Sequence, residues 1–211
     1  MADNDPALLD LLRHGHEERN IEYKGSNLKN HRADSFAWGP DTVNAKLARS
    51  AMAMANIGGG AIIIGMDETT PDTWDPNGVA ASVAASYTQD VVQQYINQRA
   101  DPYVTVTVRK PVLDEKTFVV IQVSGFDELP VVCTRGSGSL RQGAVYTRSR
   151  TKHETVEVQS QTEMRELLDR AIAVGVQKQL RPFIDALSGI QEQGMLQSAE
   201  DRFRAEREAD L

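Results

Sequence analysis

The sequence predicts an α+β fold, a mixed sheet with packed helices followed by a C-terminal helical tail, and three observations predict it. An alanine-rich run of helical period ends at Asn56, meets three glycines and passes into the apolar run Ala61–Ile64. Two alternating, β-branched stretches, 103–110 and 117–123, flank Asp114-Glu115-Lys116 as a β-hairpin. Beyond Gln159 the apolar residues Met164, Leu167, Leu168, Ala171, Ile172 and Leu180 recur at helical spacing.

In chain order, Asp5 and Pro6 supply an N-cap and a first helical position for a short helix carrying Leu8, Leu9, Leu11 and Leu12. Ile21 and Tyr23 then alternate with Glu22 and Lys24, the period of a half-buried strand, so Glu22 and Lys24 share a face. Residues 25–40 are polar and glycine-bounded; they read as a surface loop pinned by Phe36 or Trp38. Asp41 or Thr42 caps the next helix, whose core face is Val43, Leu47, Ala51, Met54 and Ala55 and whose outer side bears Lys46 and Arg49. That helix stops at the glycines, and the short apolar run after them suits a strand covered on both faces. The turn-rich segment after Glu68 reads as a loop, 87–99 as a helix, and 129–133 and 143–147 as two more strands. Two regions follow: a domain over 1–158 and a helical extension over 159–211, which reads as a packing or oligomerisation element and so predicts a homo-oligomer.

With 211 residues the chain holds one substantial domain plus an appendage. A net charge of −7 argues against a bulk polyanion binder, though a local basic face remains compatible with it. Cys133 is the sole cysteine, which excludes an intrachain disulfide framework and favours a reducing, cytoplasmic setting. The N-terminus lacks the pattern of a secretory signal, and no apolar run reaches membrane-spanning length.

Two constellations carry chemistry. The acids Glu17, Glu22, Asp67 and Glu68 read either as solvated surface carboxylates or as ligands converging on a divalent cation such as Mg²⁺ or Mn²⁺, which could activate water and neutralise a phosphodiester. Lys24 reads as Glu22's charge partner or as a contact to phosphate and transition-state charge. The second constellation is basic: Arg135, Arg141, Arg148, Arg150 and Lys152, with no acid among them and glycine and serine interleaved, form either a phosphate cradle or a solvated hairpin. His14 and His16 read as surface residues. Gly58, Gly59 and Gly60 are not a nucleotide loop, because no Gly-Lys-Ser/Thr follows and the order is helix then strand.

Three segments, EERNIEYKGS, KLARSAMAMANIGGGAIIIGMDE and GAVYTRSRTK, resemble the signature segments of the Schlafen-type AlbA-like domain, also labelled a divergent AAA domain. The resemblance covers about residues 7–155. It implies an AlbA-like mixed sheet, association with RNA or DNA, and, as in the ribonuclease-active Schlafens, an acidic triad that cleaves structured RNA with a divalent metal. By position Glu17 and Glu22 match the first two carboxylates. Glu68 stands at the third, an aspartate in the active members, with Asp67 beside it. An ATPase label finds no Walker motif here.

Overall fold

The computed structural model describes residues 5–25, 38–39 and 41–209, with side chains as far as residue 185. Phe36 lies outside the described residues. Helix α1 (Pro6–His14) begins as its sequence dictates: the Asp5 side chain accepts a hydrogen bond from the Ala7 amide at 3.0 Å, and Gly15 closes the C-terminus at φ 71°. Strand β1 (Ile21–Lys24) and helix α2 (Asp41–Ile57) lead to strand β2 (Gly59–Ile64), which runs parallel to β1 with Glu22 beside Ile62. The crossover is helical, as a parallel pair requires.

The glycine corner is a close approach between chain segments. Gly58 and Gly59 sit at φ 104° and 107°, and a Cβ on Gly60 would strike the Asn20 carbonyl and lie 2.6 Å from Met54 Sδ. Side chains are excluded there for want of space as well as by dihedral.

After the corner, the segment read as a loop is a hairpin, β3 (Met66–Thr70) with β4 (Thr73–Pro76), in which Glu68 faces Trp74 and Asp67 faces Asp75. Asp72 takes φ 63° at its turn, which let Thr-Pro-Asp-Thr act as a tight reversal. Helices α3 (Ala81–Ser86) and α4 (Gln89–Asn97) follow, then β5 (Ala100–Asp101) and β6 (Val106–Arg109). The predicted hairpin is present as β7 (Val112–Leu113) and β8 (Lys116–Thr117), with Asp114 and Glu115 both at positive φ, continuing into β9 (Val119–Ser124). Strands β10 (Val132–Cys133), β11 (Tyr146–Arg148) and β12 (Thr155–Glu157) precede helix α5 (Gln161–Ala209).

The main sheet has the order β1-β2-β9-β6, parallel at its first pair and antiparallel at the others, which is the mixed sheet of the α+β expectation. Its β6 edge is covered by amide side chains: Gln89 and Gln93 of α4 each exchange hydrogen bonds with the main chain of 104–108. Such cover protects an edge that would otherwise offer unpaired groups to another strand. Ile21 and Tyr23 of β1 join Leu8, Leu12, Ile63 and Phe118 in one core cluster. Trp38 packs edge-on against Tyr87 and Tyr95, and its amide donates to Ser86 Oγ at 2.8 Å, the pinning role expected of it.

The chain divides into two compact units, Met1–Leu168 and Asp169–Leu211. Among the described residues no helix is long and apolar enough to cross a membrane.

Candidate functional site

Strand alternation sends Glu22 to the opposite face of β1 from Ile21 and Tyr23, and that face is covered. Glu22 is 5% exposed. Its Oε1 accepts from Ser50 Oγ of α2 at 2.9 Å and pairs with Lys24 Nζ, while its Oε2 accepts from Arg148 Nη1 of β11 at 3.0 Å. The sequence inference that Glu22 and Lys24 share a face is correct, and Lys24 is the charge partner. The arginine is the part the spacing concealed.

Arg148 is 1% exposed. Its Nε donates to the Arg19 carbonyl at 3.2 Å, and Arg19 Nε donates back to the Arg148 carbonyl at 3.2 Å, so the two residues clasp each other's backbone. Thr155 Oγ1 accepts a longer bond from Nη1 at 3.4 Å, and Nη2 is buried without a hydrogen-bond partner. Three elements distant in sequence, β1, α2 and the β11–β12 hairpin, therefore meet on one buried carboxylate. A buried charge needs such compensation.

Glu17 lies beside this centre. Its Oε1 accepts from the Tyr23 amide at 2.8 Å. Burial pushes its carboxyl above the usual carboxylate range and the Glu22 charge adds to that, against the pull of the Tyr23 amide, Arg148 and Lys24. Asp67 and Glu68 point to opposite sides of β3. Asp67 is nearly buried and accepts from Asn77 Nδ2 at 2.9 Å, whereas Glu68 is exposed. Among the described residues no three His, Cys, Asp or Glu side chains are grouped to hold a metal ion. A hard cation takes several oxygen ligands, and both oxygens of Glu22 are already occupied by an arginine, a lysine and a serine. This donor set does not fit Mg²⁺ or Mn²⁺ as it stands.

The basic stretch is also rearranged by folding. Arg141 is held by Glu157, with its Nε 3.0 Å from Oε2. Arg150 Nε meets Glu166 Oε2 at 2.9 Å, and Glu166 also holds Arg19. Lys152 lies 3.9 Å from Glu154. Arg148 is turned inward onto Glu22. Of the five bases read from the sequence as a phosphate cradle or a solvated hairpin, Arg135 alone is exposed and without a carboxylate partner among the described residues. The carboxylates that neutralise the others come from 154–166 and from 22, outside the window in which no acid was found.

Glu166 binds the first turns of α5 to the rest of the domain. Its carboxyl sits below the usual range because Arg19 donates to it and Arg150 adds to that, against partial desolvation. A carboxyl lowered on folding contributes stability that is complete above its unfolded value, about 4.3, and is lost as pH falls through the folded value. Thermal unfolding midpoints followed from neutral pH downward should therefore fall more steeply below about pH 4.3 in the wild type than in Glu166→Gln. Parallel curves would show that the Arg19–Glu166–Arg150 bridge does not form in solution.

The arrangement defines a class: an α+β domain built around a buried acid–arginine centre, with a helical extension. The Schlafen, AlbA_2 family matches residues 17–157, and the chain belongs to that family. Among solved structures, the DIP2311 protein of Corynebacterium diphtheriae is similar at 18% identity and TM-score 0.46 over 72% of this chain, which spans 25% of that protein's length. The N-terminal domain of a RecG-related protein from Nitrosomonas europaea is similar at 19% identity and TM-score 0.40, over 74% of this chain and 94% of the domain. No curated protein matches the chain.

Proposed function

We propose that this protein is a nucleic-acid-binding module of the Schlafen AlbA-like family in which Glu22 organises the fold and does not serve a metal-dependent ribonuclease. The observation that carries the proposal is the occupancy of Glu22 by Arg148, Lys24 and Ser50. Divalent-ion cleavage by Glu17, Glu22 and Glu68, the activity implied by the resemblance, would require the ion to displace Arg148 and Lys24 from Glu22, leaving the Arg148 guanidinium buried without its carboxylate. Family membership supports the nucleic acid as partner. Arg135 and Lys46, both exposed and without a carboxylate partner among the described residues, are the groups proposed to meet phosphates. Lys46 lies one turn before Arg49 and Ser50 on α2, and Arg49 stacks over Tyr146 at 5.2 Å with no carboxylate on it among the described residues.

Fluorescence anisotropy with a labelled RNA hairpin and a DNA duplex of equal length tests this. Binding is expected to weaken linearly with the logarithm of salt concentration. Arg135→Glu should weaken it uniformly across sequences and reduce the salt slope by about one. Absence of binding to both probes at low salt would remove the proposal, and Mn²⁺-dependent cleavage by the wild type that disappears in Glu22→Gln would replace it with the nuclease.

A further inference from the structure

Arg135 and Lys46 belong to different elements, and the turn that follows Arg135 is fastened to the first turns of α2. Ser137 and Leu140 exchange main-chain hydrogen bonds at 3.2 and 2.9 Å, which makes Gly138 and Ser139 the tip of a tight reversal. Gly138 takes φ 55°, and a Cβ there would lie 3.1 Å from Ala45 Cβ and 3.7 Å from the Asp41 carbonyl oxygen. Glycine permits both the dihedral and the approach. The tip therefore rests on α2 at the residue before Lys46.

The main chain of Arg135 is held on both sides. One residue before it, the Thr134 amide donates to the Arg99 carbonyl at 2.8 Å, and the buried Cys133 thiol donates to the Arg135 carbonyl itself at 3.4 Å. Two residues after it, Ser137 Oγ donates to Asp41 Oδ2. The other oxygen of Asp41 accepts from Tyr95 Oη of α4 at 2.5 Å, and the Arg99 guanidinium lies 3.6 Å above the Tyr95 ring. The Ser137 hydroxyl and then that of Tyr95 hold the Asp41 carboxyl below the usual carboxylate range, so it is an ionised acceptor for both at neutral pH.

A carboxylate beside bases that meet phosphates repels a polyanion, so its charge works against binding. Its contacts supply the compensating gain, because Asp41 ties α2, α4 and the Arg135 turn together. We infer that Asp41 and Ser137 are positioning residues for nucleic-acid binding, fixing the Arg135 turn on α2 so that Arg135 and Lys46 serve one run of phosphates. This rests on the nucleic-acid reading above and extends it from the contacts to the groups that place them. A contact ordered in advance costs less to form.

Fluorescence anisotropy with the same RNA hairpin and DNA duplex tests the inference, with far-UV circular dichroism to verify the fold of each variant. Arg135→Gln removes one phosphate contact and should weaken binding about eightfold at roughly 0.1 M salt. Ser137→Ala should weaken it about threefold, and Ser137→Thr should restore it. Gly138→Val drives a side chain against Ala45 and should act like Ser137→Ala. Asp41→Ala should weaken binding although it removes a negative charge. In an Arg135→Gln background Ser137→Ala should have no further effect, because it acts through Arg135. A wild type that binds neither probe removes the nucleic-acid reading and this inference with it. Wild-type binding that Ser137→Ala and Gly138→Val leave unchanged, that Asp41→Ala tightens, or that shows additive losses in the double variant overturns the positioning role and leaves the nucleic-acid reading standing.

Discussion

Arg148→Met should destabilise the protein by about 3 kcal/mol, measured as a shift in the urea midpoint at neutral pH. The reasoning starts from burial. Glu22 and Arg148 are 5% and 1% exposed, and each is the other's principal charged partner across 126 residues of sequence. Removing one member of a buried pair strands the other charge without solvent, an effect of about 3–5 kcal/mol. The lower end applies to this substitution because Lys24 and Ser50 remain on Glu22.

The reverse substitution, Glu22→Leu, should be at least as harmful. Arginine does not shed its proton inside proteins, and Nη2 of Arg148 already lacks a hydrogen-bond partner. The double substitution Glu22→Leu/Arg148→Met should recover much of the loss, since apolar groups of similar volume can replace a buried ion pair at little net cost. Single-variant losses below about 1 kcal/mol would place the pair in contact with water. Strictly additive losses would show that the two groups are uncoupled.

How much of this was legible in sequence follows from the range over which each signal acts. The glycine corner, the α1 cap, the hairpin at Asp114-Glu115 and the shared face of Glu22 and Lys24 depend on neighbours within a few residues, and the local pattern specifies them. The centre at Glu22 depends on Arg148, and the masking of the basic stretch depends on Glu157 and Glu166. A window without acids says nothing of carboxylates that folding brings in from outside it. The same limit hid the β3–β4 hairpin, where two adjacent acids that looked like a pair are separated by strand alternation. It also hid Gln89 and Gln93, whose helical period gave no hint that they cover the β6 edge.

Asn56→Ala should destabilise the protein by about 3 kcal/mol, and it tests how the Arg148 strand is held in place. Asn56 ends the Ala-X-Ala-Asn segment at the close of α2 and is 2% exposed. Its Nδ2 donates to the Val131 carbonyl at 2.9 Å and the Tyr146 carbonyl at 2.8 Å, and its Oδ1 accepts from the Val131 amide at 2.7 Å. Alanine would leave three main-chain groups buried and unpaired. Because Tyr146 is two residues before Arg148 in β11, loss of this clamp also loosens the strand that delivers the guanidinium to Glu22, so Asn56→Ala and Arg148→Met should be less than additive. Asn56→Asp separates the electrostatic contribution from the steric one. Its carboxylate keeps the shape and the Val131 amide but turns an oxygen toward two carbonyls. Its pKa in the folded state is therefore raised, and the associated stability is present below the unfolded value and lost as pH rises through the folded one. Below the unfolded Asp value, about 3.9, Asn56→Asp should regain part of the loss, since its single O–H can serve one of the two carbonyls, and at neutral pH it should fall below Asn56→Ala. A variant equally stable at both would mean that the amide's donors are not the groups that hold β11 against α2.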